Sequence, residues 1–88
     1  MSKPAFERGR LVISKQGHDK GLAFIILDVM DGDYVTIADG ETRKAEKPKK
    51  KKMKHLIPKP ALVTLTLPVT DSDLRKAIRA IAMEGRTE

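Results

Sequence analysis

The chain has 88 residues, of which 40% are hydrophobic and 34% charged; it has no cysteine and a net charge of +6. This length allows one hydrophobic core, so we expect a single domain over residues 1–88, and the lack of cysteine excludes disulfides, thiolate metal sites and cysteine nucleophiles. No apolar run is long enough to cross a membrane or to serve as a secretory signal, so we expect a cytoplasmic protein.

The first half of the chain predicts three strands. A β-branched run follows Gly9 and gives a strand over residues 10–14, and a nearly continuous apolar run gives a second strand over residues 22–30. Asp31-Gly32 is a hairpin turn signal, which makes residues 34–38 the returning strand. The segment between the first two strands has two glycines and an acid, which is typical of a loop.

A basic segment covers residues 43–59. It carries nine basic residues and one acid, whereas the other 71 residues carry nine basic and eleven acidic side chains. Like charges repel each other, so this run predicts a solvated loop, with residues 47–53 the least ordered internal part of the free protein. A polyanion would relieve the repulsion; nucleic acid is favoured over an anionic membrane, because the chain has no second membrane anchor.

The second half of the chain predicts two strands and a helix. Residues 53–57 are apolar enough for a short strand, and residues 61–69 alternate with period two. The predicted buried face of that alternation comprises Ala61, Val63, Leu65, Leu67 and Val69. An acid-rich cap at 70–73 then starts an amphipathic helix over about 71–84, which Gly85 ends. The helix should pack through Leu74, Ile78 and Ile81.

This order of elements predicts a mainly β fold. Five short strands in fewer than 70 residues usually close into a small barrel, because a flat open sheet would leave exposed edges and too little core. We therefore expect a small β-barrel followed by one C-terminal helix.

Two stretches resemble known RNA-binding families. Residues 9–29, with Gly17, Lys20 and Gly21 between apolar strands, resemble a KOW motif, the strand–loop–strand unit of many ribosomal and transcription-elongation proteins. Residues 27–40 and the Lys-His-Leu-Ile-Pro element at 54–58 resemble the large-subunit ribosomal protein family eL14, also written L14e. The resemblance extends over about residues 9–83. It implies an SH3-like β-barrel of KOW type that binds ribosomal RNA.

The residue types favour recognition of RNA backbone and shape. Lysine neutralises phosphate without reading bases, and aromatic residues are only 3% of the chain, which argues against sequence-specific stacking. We expect Gly17 and Gly21 to shape the first loop. The expected RNA-binding residues are Lys15, His18, Lys20, Arg43, Lys44, Lys47, Lys49, Lys50, Lys51, Lys52 and Lys54.

Other chemistry has little support. The acids at 71–73 suit a helix start better than an acid–base pair, and His55 is more typical of a packed residue than of a ligand. Two histidines without cysteine do not make a zinc site, and Ser14 with His18 lacks the orienting acid of a catalytic dyad. We expect no enzyme, no metal and no cofactor.

The leading hypothesis is a ribosomal protein, monomeric when free and associated with the ribosome in the cytoplasm. Its partners would be RNA of the large subunit and neighbouring ribosomal proteins, with no membrane contact. Two alternatives stay open: a free RNA regulator or chaperone of weak specificity, and a KOW protein–protein module of the transcription or translation machinery.

Overall fold

The computed structural model describes residues 5–84. Five antiparallel strands form one sheet in the order β4-β3-β2-β1-β5, and a single helix follows them. The strands are β1 (Arg10–Ser14), β2 (Ala23–Val29), β3 (Tyr34–Ala38), β4 (Lys49–Lys52) and β5 (Leu56–Leu62), and the helix is α1 (Asp71–Glu84). The predicted mainly β fold with a C-terminal helix is confirmed. Gly85, the predicted helix stop, lies outside the described residues.

A three-residue 3-10 helix, Met53–His55, links β4 at one edge of the sheet to β5 at the other. Five flat strands would hold these edges roughly 19 Å apart, at about 4.8 Å per strand spacing. A three-residue 3-10 helix rises only about 6 Å. The sheet must therefore curve until the end of β4 approaches the start of β5, as in a barrel.

The predicted barrel is nevertheless not closed. Within residues 5–84, β4 pairs only with β3 and β5 only with β1, so no ladder joins β4 to β5. β4 and β5 run in the same direction along the sheet, and two parallel neighbours need a connection of a dozen or more residues, far longer than the three residues here. An open seam between β4 and β5 remains.

One face of the sheet holds the interior cluster. Val12, Phe24, Ile26, Val35 and Ile37 are fully buried there, and Leu56 of β5 joins them. Phe6 and Met53 pack against the cluster from its rim.

Helix α1 covers the opposite face. Leu74 is fully buried against Leu11, Ile25 and Ala38, with Ile78 and Ile81 packed beside it, as predicted. The cap is also as predicted: Asp73 N donates to Thr70 Oγ1 at 3.1 Å, and Thr70 N donates to Asp73 Oδ2 at 3.3 Å. No helix within residues 5–84 is long and apolar enough to cross a membrane.

The predicted strand over residues 61–69 is wrong beyond Leu62. Its partner β1 begins at Arg10, which pairs with Leu62, so the chain leaves the sheet there and crosses towards α1. The alternation still marks the inward side, because Val63, Leu65 and Val69 pack under the helix. Leu67 is the exception, with 73% of its surface exposed.

The interpretation of the lysine run as a solvated loop is also wrong. Residues 49–52 form β4, and the strand predicted at 53–57 is divided between the 3-10 helix and the start of β5. A backbone ladder to β3 pairs one side of the lysine main chain, and alternating side chains carry successive charges to opposite faces. Because neighbouring ammonium groups lie on opposite faces, they repel each other less than they would if all four lay on one side.

Candidate nucleic-acid interface

Two of the β4 lysines start on the core side of the sheet. Lys49 lies opposite Ile37 and Lys51 opposite Val35, both buried residues of β3. Directly opposed residues of an antiparallel pair project to the same face, so these two side chains follow Ile37 and Val35. Their ammonium groups then extend past the core to the β1–β2 loop, residues 15–22.

The contacts with that loop are specific. Lys51 Nζ donates to the carbonyl oxygen of Gln16 at 3.4 Å, and Lys49 Nζ lies 3.9 Å from Asp19 Oδ2. These contacts connect the middle of the basic segment to the first loop. Two groups of predicted RNA-binding residues, 35 positions apart in sequence, therefore share one surface.

The other two β4 lysines lie on the opposite face, with Tyr34. Lys50 Nζ is 4.5 Å and Lys52 Nζ 5.8 Å from the centre of the Tyr34 ring. A cation over an aromatic ring gains about 0.5–1 kcal/mol at exposed sites. The ring thus holds two ammonium groups together without neutralising them.

Asp19 organises the first loop from within. Its side chain is only 5% exposed, and one of its oxygens accepts hydrogen bonds from Arg43 Nη2 at 3.0 Å and Arg43 Nε at 3.3 Å. Arg43 was predicted to bind RNA, and this contact ties it to the loop as well. Among residues 5–84, the other three lysines of β4 form no ion pair, so the strand retains most of its positive charge.

The predicted loop residues are all exposed at the loop surface: Lys15, His18 and Lys20. The backbone turns at Gly17 and Gly21, which have φ angles of +85° and +88°, a region that residues with a side chain rarely adopt. Gly21 N donates to the carbonyl oxygen of Ser14 at 2.8 Å and closes the loop. The two glycines thus have a conformational role, while contact with RNA is a separate expectation.

Lys44 and Lys47 extend the charged surface along the chain. Both are exposed on a turn in which Lys47 N donates to the carbonyl oxygen of Lys44 at 3.0 Å, immediately before β4. Lys54 is exposed on the 3-10 helix that follows β4. Lys15 N donates to the carbonyl oxygen of His55 at 2.8 Å, which places the start of the first loop beside that helix.

Desolvation and the positive surface lower the pKa of His55. Its pKa is lowered from the usual 6.5 by desolvation and by the positive charges of Lys54, Lys51, Lys52 and Lys15. Both effects disfavour the imidazolium form, since the first removes water and the second adds like-charge repulsion.

We expect an NMR titration of the free protein to give His55 a pKa below 6.5. Raising the salt concentration should move that pKa upward, because ions screen the lysines but do not change desolvation. The variant Lys51→Gln/Lys52→Gln should move it in the same direction at constant salt. A His55 pKa that responds to neither change would mean that the lysines do not act on it.

Sequence reasoning missed two residues that contact the β4 lysines, Asp19 on one face of the strand and Tyr34 on the other. Nothing local marks Asp19, because its partner Arg43 is 24 positions away and lies near only in the folded chain. Tyr34 had a weak signal as the one tyrosine of a lysine-rich chain.

Comparisons with known proteins find similarity to proteins of the large ribosomal subunit. The chain is 28% identical over 85 residues to the large ribosomal subunit protein eL14 of Staphylothermus marinus, covering 97% of this chain and 85% of that protein. It is 29% identical over 75 residues to eL14 of Desulfurococcus amylolyticus and 25% identical over 75 residues to eL14 of Sulfolobus acidocaldarius, each time covering 85% of this chain and 78% of the relative.

No family model matches the chain. The curated relatives nevertheless share one name, and the matches span most of both sequences. The chain is therefore eL14-like, similar over most of its length to a protein of the large ribosomal subunit, as its residues 27–40 and 54–58 predicted.

Proposed function

We propose that this protein is a component of the large ribosomal subunit that binds ribosomal RNA through backbone phosphates and RNA shape. It acts without catalysis or cofactor, in the cytoplasm, beside neighbouring ribosomal proteins, and it is a monomer when free. The similarity to eL14 proteins supports the assignment to the ribosome.

One observation supports RNA binding most directly. The first loop and the side of β4 that carries Lys49 and Lys51 form one basic surface, joined by the Lys51–Gln16 hydrogen bond and by Asp19, which contacts both Arg43 and Lys49. A loop fixed in this way presents its charges at set positions. Charges at set positions can match the phosphates of one folded RNA better than those of another.

The surface combines two kinds of positive charge. Lys50 and Lys52 attract any phosphate, because an ammonium group is a point charge with little directional preference. Lys15 and Lys20 lie on a loop whose backbone path is set by Gly17 and Gly21. We expect the strand to supply affinity and the loop to supply preference for ribosomal RNA.

Co-sedimentation with purified large ribosomal subunits at moderate salt tests the proposal. The protein should sediment with large subunits and less with small subunits or with random RNA of equal mass. Replacement of Lys15, His18 and Lys20 by alanine should weaken binding to a preferred ribosomal RNA fragment more than binding to a random RNA of equal length.

The control variant is Lys76→Ala/Arg79→Ala on the exposed face of α1. It removes two positive charges, the same number that the loop variant loses with Lys15 and Lys20. This control should weaken binding to both RNAs slightly and equally. If the loop variant also loses both RNAs equally, a free RNA binder of weak specificity is favoured. Sedimentation that persists when the RNA is digested would favour a protein–protein module instead.

A further inference from the structure

A cleft opens beside the basic surface, where the 3-10 helix joins β4 to β5. Its volume is about 500 Å³, within the range of roughly 300–1,000 Å³ that is typical of small-molecule sites. Apolar side chains line it, namely Phe6, Met53, Leu56 and Pro58. Three charged residues complete the lining: Lys15, Lys54 and Asp33.

This composition matches the chemistry of a nucleotide. Lys15 and Lys54 are exposed and can pair with phosphate, and both belong to the basic surface described above. Phe6 supplies a ring on which a base can stack. The Asp33 carboxylate can only accept hydrogen bonds, so it favours a base that has an exocyclic amino group.

A second cleft differs from the first in its balance of charge. It lies between α1 and the start of β2, has a volume of about 340 Å³, and contains Arg75 and Arg79 together with Asp39 and Glu41. Its two acids balance its two arginines, and Arg75 already donates to the carbonyl oxygen of Gly40 at 2.8 Å. That cleft offers no excess positive charge to a polyanion.

We propose that the first cleft binds one unstacked base of the RNA, with the ring of Phe6 beneath the base and Lys15 and Lys54 on the adjoining phosphates. The proposal rests on the RNA-binding function proposed above and adds a base contact to it. One aromatic residue suffices for this contact, so the low aromatic content of the chain does not exclude it.

The test compares two labelled hexamers of equal charge by fluorescence anisotropy at low salt. One is oligocytidylate, which carries an exocyclic amino group on each base, and the other is its abasic phosphodiester counterpart. The protein should bind oligocytidylate at least about fivefold more tightly, the lower limit of what stacking one base contributes.

Phe6 has matched substitutions. Phe6 packs on the rim of the core, so Phe6→Leu keeps an apolar side chain there while removing the ring, and Phe6→Tyr keeps the ring. The Phe6→Leu variant should bind the two hexamers equally, and the Phe6→Tyr variant should bind oligocytidylate more tightly, as the unaltered protein does. Lys50→Gln/Lys52→Gln should weaken both hexamers by the same factor.

The outcomes separate the two proposals. Equal binding of both hexamers by the unaltered protein would overturn the base contact and leave phosphate binding in place, as would an advantage that survives in Phe6→Leu. Failure of both hexamers to bind, even at low salt, would overturn phosphate binding itself and the base contact with it.

Discussion

Replacing Lys49, Lys50, Lys51 and Lys52 with glutamine should lower RNA affinity by about three orders of magnitude at 0.1 M salt, since each lost phosphate contact forgoes the release of about 0.7–0.9 counterions. Six phosphate contacts would give the unaltered protein a slope of about −4 to −5 for log affinity against log salt, and the variant should retain about −1 to −2. A filter-binding series at several salt concentrations measures both slopes.

Two double variants of equal charge refine this prediction. Lys50→Gln/Lys52→Gln removes the pair over Tyr34, and Lys49→Gln/Lys51→Gln removes the pair that contacts the first loop. Both should reduce the salt slope by about 1 to 2. Only the second should also reduce the preference for a ribosomal RNA fragment over random RNA, because it releases the loop.

An unchanged slope in the quadruple variant would contradict the assignment of β4 as the main phosphate-binding element. Identical specificity in the two double variants would contradict the coupling between strand and loop. Circular dichroism should show native β structure in all three variants, because the β4 ladder uses backbone groups and like-charge repulsion is reduced.

Gly40→Ala should be the most destabilising single substitution we consider. Gly40 has a φ of +84°, and an added Cβ would overlap the Asp71 backbone of α1. Left-handed backbone costs a residue with a side chain about 1–2 kcal/mol, and overpacking about 1–3 kcal/mol more. Each kcal/mol lowers the Tm of a domain of this size by roughly 4–8 °C, so we expect a decrease of about 8–40 °C.

Gly32→Ala is the matched control. Gly32 has a φ of +75°, but nothing lies within 4 Å of an added Cβ, so only the backbone cost applies. We expect a decrease in Tm of about 5–15 °C for the control. If thermal unfolding gives the two variants the same decrease in Tm, the added Cβ at residue 40 does not clash with α1.

The effect at residue 40 should extend to RNA recognition. Asp39 N and Gly40 N both donate to the carbonyl oxygen of Arg43 at 3.0 Å, and Arg43 in turn holds Asp19 in the first loop. A shift of this turn therefore moves the loop that we expect to discriminate between RNAs.

Local sequence signals predicted the elements whose partners are close in the chain. β1 and β3 have the predicted bounds, and Asp31-Gly32 marked the hairpin, because alternation and turn chemistry act over a few residues. The start of α1 followed from the acid-rich cap at 70–73. The apolar stripe of the helix likewise identified the residues that it buries.

Long-range pairing explains the failures. A run of four lysines has no alternation to indicate a strand, and β4 exists because β3 offers it a ladder. The end of β5 depends on where β1 begins, which no pattern in residues 61–69 contains. The predicted RNA-binding residues were chosen by charge, so the sequence could name them but could not indicate that Asp19 connects two of their groups.

The open seam leaves two sheet edges without a partner strand within the described part of the chain, residues 5–84. An unpaired sheet edge is a template for the strand of another chain, and it becomes an aggregation site when it is long, flat and apolar. Here β4 presents four lysines along one edge, and β5 contains Pro58 and Pro60, which have no N–H group to donate to an added strand. The two edges are thus protected by charge on one side and by proline on the other. Substitutions that remove the lysines to weaken RNA binding would leave only the proline edge protected, so such variants need to be handled at low concentration.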